Sequence, residues 1–188
     1  MSLSTDKLYH EFVRWFRTGG GVRTAEQAER RLAHAYYTYA RDAEDVSGEN
    51  PSNLIADKFE RPLSFRRSGT RQQFARQIDA AFVAFWTDVA FPILAVPPTS
   101  PPCPNVGGSG EFSSEVSSQV VNVEAGAMYK AIMPILRSSG STAERAARRL
   151  ANAMDDVTKS AVTVLITGWD TTPGPSGPYP IINTCTVF

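Results

Sequence analysis

Apolar residues recur along three stretches of the chain in one rhythm: Ala28, Leu32, Ala35, Tyr36 and Tyr39; Phe74, Ile78, Ala81, Phe82 and Phe85; Ala146, Leu150, Ala153, Met154 and Val157. Steps of four, three, one and three gather each set on one face of a helix, because a turn takes 3.6 residues. The pattern predicts long helices near 24–43, 70–90 and 142–159, shorter ones near 5–17 and 126–137, and a short one begun by Pro51 after Asn50. Pro134 is expected to kink or end its helix, since it has no N–H to give and its ring crowds the preceding turn.

Two of these stretches are copies of one another. Thr24 to Ala35 and Thr142 to Ala153 share nine identities in twelve aligned positions, among them the run Arg30-Arg31-Leu32-Ala33 against Arg148-Arg149-Leu150-Ala151. The match continues upstream, with Leu8-Tyr9 then Arg17 in one copy and Met128-Tyr129 then Arg137 in the other. Each unit reads as helix, small-residue loop, helix, the glycines of 19–21 and Gly140 allowing the backbone turn between helices. Thr24 with Gln27, Ser141 with Glu144, and Thr70 with Gln73 have the spacing of a helix cap in which a hydroxyl and an i+3 side chain exchange bonds with free N–H groups. The stretch after Gly69 is a third, diverged copy. The spacing of the copies is too irregular for a solenoid.

Other segments cannot be helical. Residues 92–110 hold Pro92, Pro97, Pro98, Pro101, Pro102 and Pro104, then Gly107, Gly108 and Gly110, a composition that favours extended backbone. Val116 to Val123 reads as a possible strand, and 161–167 and 181–188 are β-prone. Between 161 and 188 there is one charge, Asp170. A near-neutral β-prone terminus does not stay solvated. It is expected either to pair with 116–123 of its own chain or to add as a strand to a neighbour. The predicted fold class is therefore mainly α: a helical bundle with duplicated helix-loop-helix units, short β segments and an extended C-terminal arm. The divisions are 1–96, an N-terminal helical half; 97–123, a connector with a possible strand; 124–160, a second helical unit packing on the first; and 161–188, the arm.

Composition narrows the function classes. With 42% hydrophobic and 20% charged residues the chain can bury a core. Lys+Arg 19 balance Asp+Glu 19, so no net field draws it to a polyanion. Arg outnumbers Lys 15 to 4, which suits forked ion pairs at contacts between proteins. Cys103 and Cys185 are too few for a disulfide framework, and a reducing compartment is expected. The first eleven residues carry Asp6, Lys7 and Glu11 without an apolar core, so no secretory signal is expected.

Candidate chemistry is sparse. His10 and His34 have no Cys or His at ligand spacing, and no metal or cofactor is expected. The cysteines lack a nucleophile elbow or basic neighbour. Gly19-Gly20-Gly21 is a helix-helix turn with no Lys-Ser/Thr after it, unlike a phosphate-binding loop. Asp155-Asp156 with Glu144, and Glu44-Asp45 with Glu49, read as solvated helix faces before they read as catalytic pairs. Arg61, Arg66, Arg67, Arg71 and Arg76 gather about the loop before the third copy. An acidic protein neighbour suits them better than a phosphate backbone, although nucleic-acid contact stays open. Residues 80–98 form the longest apolar run, but Asp88 and Pro92 interrupt it, favouring a buried helix over a membrane span.

The Gly-loop, Thr-Ala-capped helices running into Ala- and Tyr-rich stretches over 17–43, 68–98 and 137–180, with a Pro/Gly-rich tail and no catalytic motif, resemble the small virion structural proteins of tailed bacteriophages. Among these the neck, connector or head-tail adaptor proteins are nearest. The resemblance implies a non-enzymatic part that forms a homo-oligomeric ring, contacts portal or tail components, takes no small-molecule substrate, and belongs to the virion after assembly in the host cytoplasm. It implies an assembly interface comprising Val162, Val164, Ile166, Tyr179, Ile181, Ile182, Val187 and Phe188 on the arm and Arg61, Arg66, Arg67 and Arg71 on the body. A capsid decoration or baseplate part, and a membrane-active helical protein using 80–98, are the alternatives.

Overall fold

The structure, a computed structural model, describes residues 3–18, 24–44, 50–66, 69–92, 117–138, 142–170 and 179–187. In chain order the elements are α1 (Thr5–Thr18), α2 (Ala25–Ala40), α3 (Ala56–Glu60), α4 (Arg71–Trp86), β1 (Ala90–Phe91), β2 (Ser117–Val123), α5 (Ala127–Arg137), α6 (Ala143–Ala161), β3 (Val162–Asp170) and β4 (Tyr179–Thr186). The fold is mainly helical with a small antiparallel sheet, as the sequence pattern predicts.

The repeated apolar rhythm is the core. Leu32, Tyr36 and Tyr39 of α2, Ile78, Phe82 and Phe85 of α4, and Leu150, Met154 and Val157 of α6 are buried together with Leu8 and Phe12 of α1 and Met128 and Ile132 of α5. Each large side chain removed from water in this way stabilises by roughly 1.5–3 kcal/mol. The second unit packs on the first through α1 against α6 and α4 against α5. Arg148 of α6 fixes the former contact: its guanidinium stacks 3.6 Å from the Tyr9 ring centre and reaches Asp6 Oδ1 at 2.6 Å.

Each of the three copies starts on a threonine hydroxyl. Thr24 accepts from Gln27 N, Thr70 from Gln73 N, and Thr142 from Arg145 N. The reciprocal bond, Gln73 Oε1 accepting from Thr70 N at 2.9 Å, completes a capping box at α4. The cap of α6 is thus Thr142, in register with Thr24, and not the Ser141–Glu144 pair. Ser141 itself lies outside the described residues.

Two boundaries differ from expectation. The short helix begins at Ala56, because Ser52 and Asn53 turn their side chains to Ala90 and Asp88 instead of capping a helix at Pro51. The helix expected to reach 90 stops at Trp86, where Thr87 is extended and Asp88 takes φ 60, and the chain then enters β1, a strand the pattern does not announce. The helix that contains Pro134, α5, ends at Arg137 as expected, so of the two expected effects the proline does not end it.

The sheet order is β1-β2-β3-β4, all antiparallel. The helical hairpin α5–α6 connects β2 to β3, with α6 passing into β3 without a loop and Glu124 N donating to Ala161 O at 3.0 Å. A bulge at Val121 shifts the β2–β3 register between Val120 and Asn122. The C-terminal segment is therefore a hairpin laid on its own chain, not a free arm: β3 takes β2 and β4 as its neighbours. The same-chain pairing of 161–167 with 116–123 is the one the structure adopts.

Candidate functional site

Tyrosines occupy two core positions of α2 where the matching copy carries Met154 and Val157, so two hydroxyls enter an apolar interior and each needs a partner. Trp86 Nε1 donates to the Tyr36 hydroxyl at 2.8 Å, and that hydroxyl lies 2.8 Å from Thr158 Oγ1. Thr158 gives its own proton to Met154 O at 2.7 Å, which makes Tyr36 the donor to Thr158. Beside it Tyr39 donates to Asp155 Oδ1 at 2.7 Å, while Lys159 Nζ holds Asp155 Oδ2 at 2.8 Å. Burial pushes both phenols well above the ordinary tyrosine value, and the charge of Asp155 pushes in the same direction. Both stay protonated at neutral pH, and each hydroxyl and indole proton in the cluster has an acceptor. The cluster joins α2, α4 and α6 and offers no reactive group.

Asp155 is therefore buried, 6% exposed, and not part of a solvated pair with Asp156, which faces outward. Asp45 and Glu49 lie outside the described residues. No group of three or more His, Cys, Asp and Glu suited to a metal occurs among the described residues. Among them, too, no buried side-chain nitrogen or oxygen lacks a partner. No helix of the described residues is long and apolar enough to cross a membrane.

A cleft of about 420 Å³ opens between α1 and α2, lined by Glu11, Phe12, Arg14, Trp15, Arg31, His34 and Ala35. It brings His34 into one hollow with a carboxylate, a pairing the sequence does not announce because the two stand 23 residues apart on different helices. His34 is exposed, and among the described residues no hydrogen bond joins it to Glu11. Arg14 and Arg31 both have interaction partners already.

The described arginines of the expected group, Arg61, Arg66, Arg71 and Arg76, are all exposed. Arg66 lines a hollow of about 250 Å³ with Ser64, Phe65, Thr70 and Gln73, at the start of α4. Arg61 lines a separate depression among Glu29, Asp57 and Glu60. Arg71 and Arg76 stand exposed on α4, and Arg67 lies outside the described residues. The loop bearing Arg66 is held by Glu29, which accepts from Phe65 N, and by Gln77, whose amide donates to Ser64 O at 2.9 Å.

Of the arm residues expected at an interface, Val162, Val164 and Val187 are buried in the chain's own core, at no more than 1% exposure. They are not available to a neighbour, because the hairpin needs them to seat on the helices. Ile166, Tyr179, Ile181 and Ile182 are described in backbone only, and Phe188 lies outside the described residues.

The two edges of the sheet are unlike. On β1 the outward backbone groups are those of Ala90: its N–H goes to Asn53 Oδ1 at 2.9 Å, and its carbonyl accepts from Ser52 N at 2.9 Å and Ser52 Oγ at 3.1 Å. That edge is closed. Along β4 no strand among the described residues pairs on the side away from β3. An open edge is a template for strand addition.

Comparison with known proteins finds no matching family model, no matching curated relative and no matching solved structure.

Proposed function

We propose that the protein is a non-enzymatic structural part of a tailed-bacteriophage particle, of neck, connector or head-tail adaptor type, building a ring or collar with its own copies against portal or tail components. The observation that carries this reading is the contrast, among the described residues, between a body whose buried side-chain polar atoms all have partners and a sheet whose last strand, β4, has no second strand beside it. Backbone groups at such an edge bind another chain without any side-chain chemistry. Ring closure makes successive weak contacts effectively intramolecular, so modest contacts of the body together with the β4 edge suffice. The exposed Arg61, Arg66 and Arg71 supply cations for an acidic neighbouring surface.

The test is light scattering and negative-stain microscopy of the full chain, together with mass spectrometry of purified particles. Defined oligomers and a place in the particle are expected. A chain that stays monomeric at every concentration and is missing from particles ends this reading. A chain found on the capsid surface or in the baseplate would move it to decoration or baseplate duty.

One observation favours a second reading, a small enzyme: the α1–α2 cleft holds His34 with Glu11. General acid-base work asks for hydrogen-bond contact between such groups, roughly 2.6–3.2 Å, or one bridging water. A hydrolysis screen of the wild type against His34→Ala decides it, with activity lost in the variant as the supporting result.

A further inference from the structure

We infer that β4 is a self-pairing edge: two copies of this chain join β4 to β4, antiparallel, about a two-fold axis at Thr184, to make one continuous sheet. The inference stands apart from the virion reading and needs no particle.

The phase of the ladder decides which backbone groups are free. Val120 N donates to Val89 O at 2.7 Å, so Ser118 and Val120 face β1 and Gln119 faces β3, opposite Leu165. Backbone groups alternate sides along a strand. Leu165 and Thr167 of β3 therefore bond to β2, whereas Val164, Ile166, Gly168 and Asp170 bond to β4. The bond from Glu124 N to Ala161 O sets the same phase from the other end of β2. The partners of the β4-facing set are Cys185, Asn183, Ile181 and Tyr179. What remains on the outer edge is the backbone of Pro180, Ile182, Thr184 and Thr186. Pro180 falls in the outward set, where its missing N–H costs the β3 ladder nothing, as is usual for proline at a sheet edge.

The occupant follows from the other edge. Head-to-tail growth, β4 of one copy on β1 of the next, is blocked because Ser52 and Asn53 already take both outward groups of Ala90. Among the described residues β4 is the edge left open, and a second copy carries the same edge. With the axis at Thr184, Ile182 pairs with Thr186 of the second copy, Thr184 with Thr184 of the second copy, and Thr186 with Ile182 of the second copy, so every outward donor finds a carbonyl. An axis at Ile182 would set Thr184 against proline and lose a donor. The stretch Tyr179–Thr186 has no charge, so the two-fold brings no like charges together. Any closed ring built from such pairs holds an even number of chains.

The test uses the full chain in analytical ultracentrifugation. Thr184→Pro removes an outward N–H while leaving the bonds to β3 in place, and Asn183→Ala serves as a control in the inward phase. A concentration-dependent dimer is expected for wild type and control, with dissociation about ten- to a hundredfold easier in Thr184→Pro. Should Thr184→Pro fail to fold, hydrogen exchange on the wild type gives the same answer: the amides of Ile182, Thr184 and Thr186 slow together as the protein is concentrated. A wild-type monomer at all concentrations, or a dimer unchanged by Thr184→Pro, overturns the inference. So do outward amides that exchange at one rate throughout. A dimer lost in Thr184→Pro but never found in particles leaves the inference standing and removes the virion reading alone.

Discussion

The Tyr39 hydroxyl donates to Asp155 Oδ1 at 2.7 Å across 116 positions of sequence. The bond ties the second helix of one repeat copy to the second helix of the other, at a buried site where neither group can turn to water. Its partner bond from Lys159, four residues along α6, is half in solvent and shields only one carboxylate oxygen.

Removing the donor should therefore be costly. Tyr39→Phe leaves Asp155 Oδ1 buried without its partner and is expected to destabilise by about 1.5–3 kcal/mol in urea unfolding. In a double-mutant cycle with Asp155→Asn, the two losses should be non-additive by at least about 0.5 kcal/mol. Additive losses would show that the pair contributes nothing as a pair.

Alkaline stability follows from the same cluster. Tyr36 and Tyr39 have folded-state values raised above the unfolded one near 10. Their contribution is whole below that pH. As pH rises past it, the unfolded chain sheds two protons the folded chain keeps, so stability falls by about 1.4 kcal/mol per pH unit for each. Phenolate absorbance should show these two of the six tyrosines appearing only with unfolding, and a smooth titration of all six in the folded protein would contradict this.

Asp79 on α4 caps a helix that is not its own. Its carboxylate accepts from Gly126 N at 2.9 Å and Tyr129 N at 3.1 Å, at the positive end of α5. Gly126 cannot cap by side chain, and it takes φ 86. Asp79→Ala is expected to cost about 1–2 kcal/mol, with amide exchange quickening first in the opening turn of α5. Gly126→Ala should cost about 1–2 kcal/mol for a different reason, the left-handed backbone, since nothing stands within 4 Å of the added methyl.

Asn53 closes the β1 edge and steadies Asp88 by accepting from Ala90 N and donating to Asp88 O, both at 2.9 Å. Asn53→Ala should lower stability by about 1–2 kcal/mol and also free one outward group of β1. Light scattering should then detect species larger than the wild type forms at equal concentration. Unchanged size would mean that Ser52 alone suffices to close the edge.

The helices, their buried faces and their threonine starts are local matters, which is why the spacing of Leu32, Tyr36 and Tyr39, or of Thr70 and Gln73, announces them. Apolar periodicity and a capping hydroxyl are settled within one or two turns. The burial of the third copy's face could be read from Phe74 to Phe85 for the same reason. Tyr36 and Tyr39, placed where the sister copy has Met154 and Val157, also carried a signal that a buried polar cluster must exist, because a hydroxyl in a core needs a partner. Who that partner is could not be read locally. Thr158, Asp155 and Trp86 arrive from 50 to more than 100 residues away.

The strands divide the same way. β-prone composition marks 117–123 and the C-terminus, but pairing is a contest between edges whose outcome depends on where the helices set each strand. Only the folded chain places β3 between β2 and β4, turns Val187 into the core, brings His34 into one cleft with Glu11, and closes the β1 edge with Ser52 and Asn53 while leaving β4 without a second neighbour among the described strands. Those are long-range choices made by packing, and a one-dimensional pattern has no term for them.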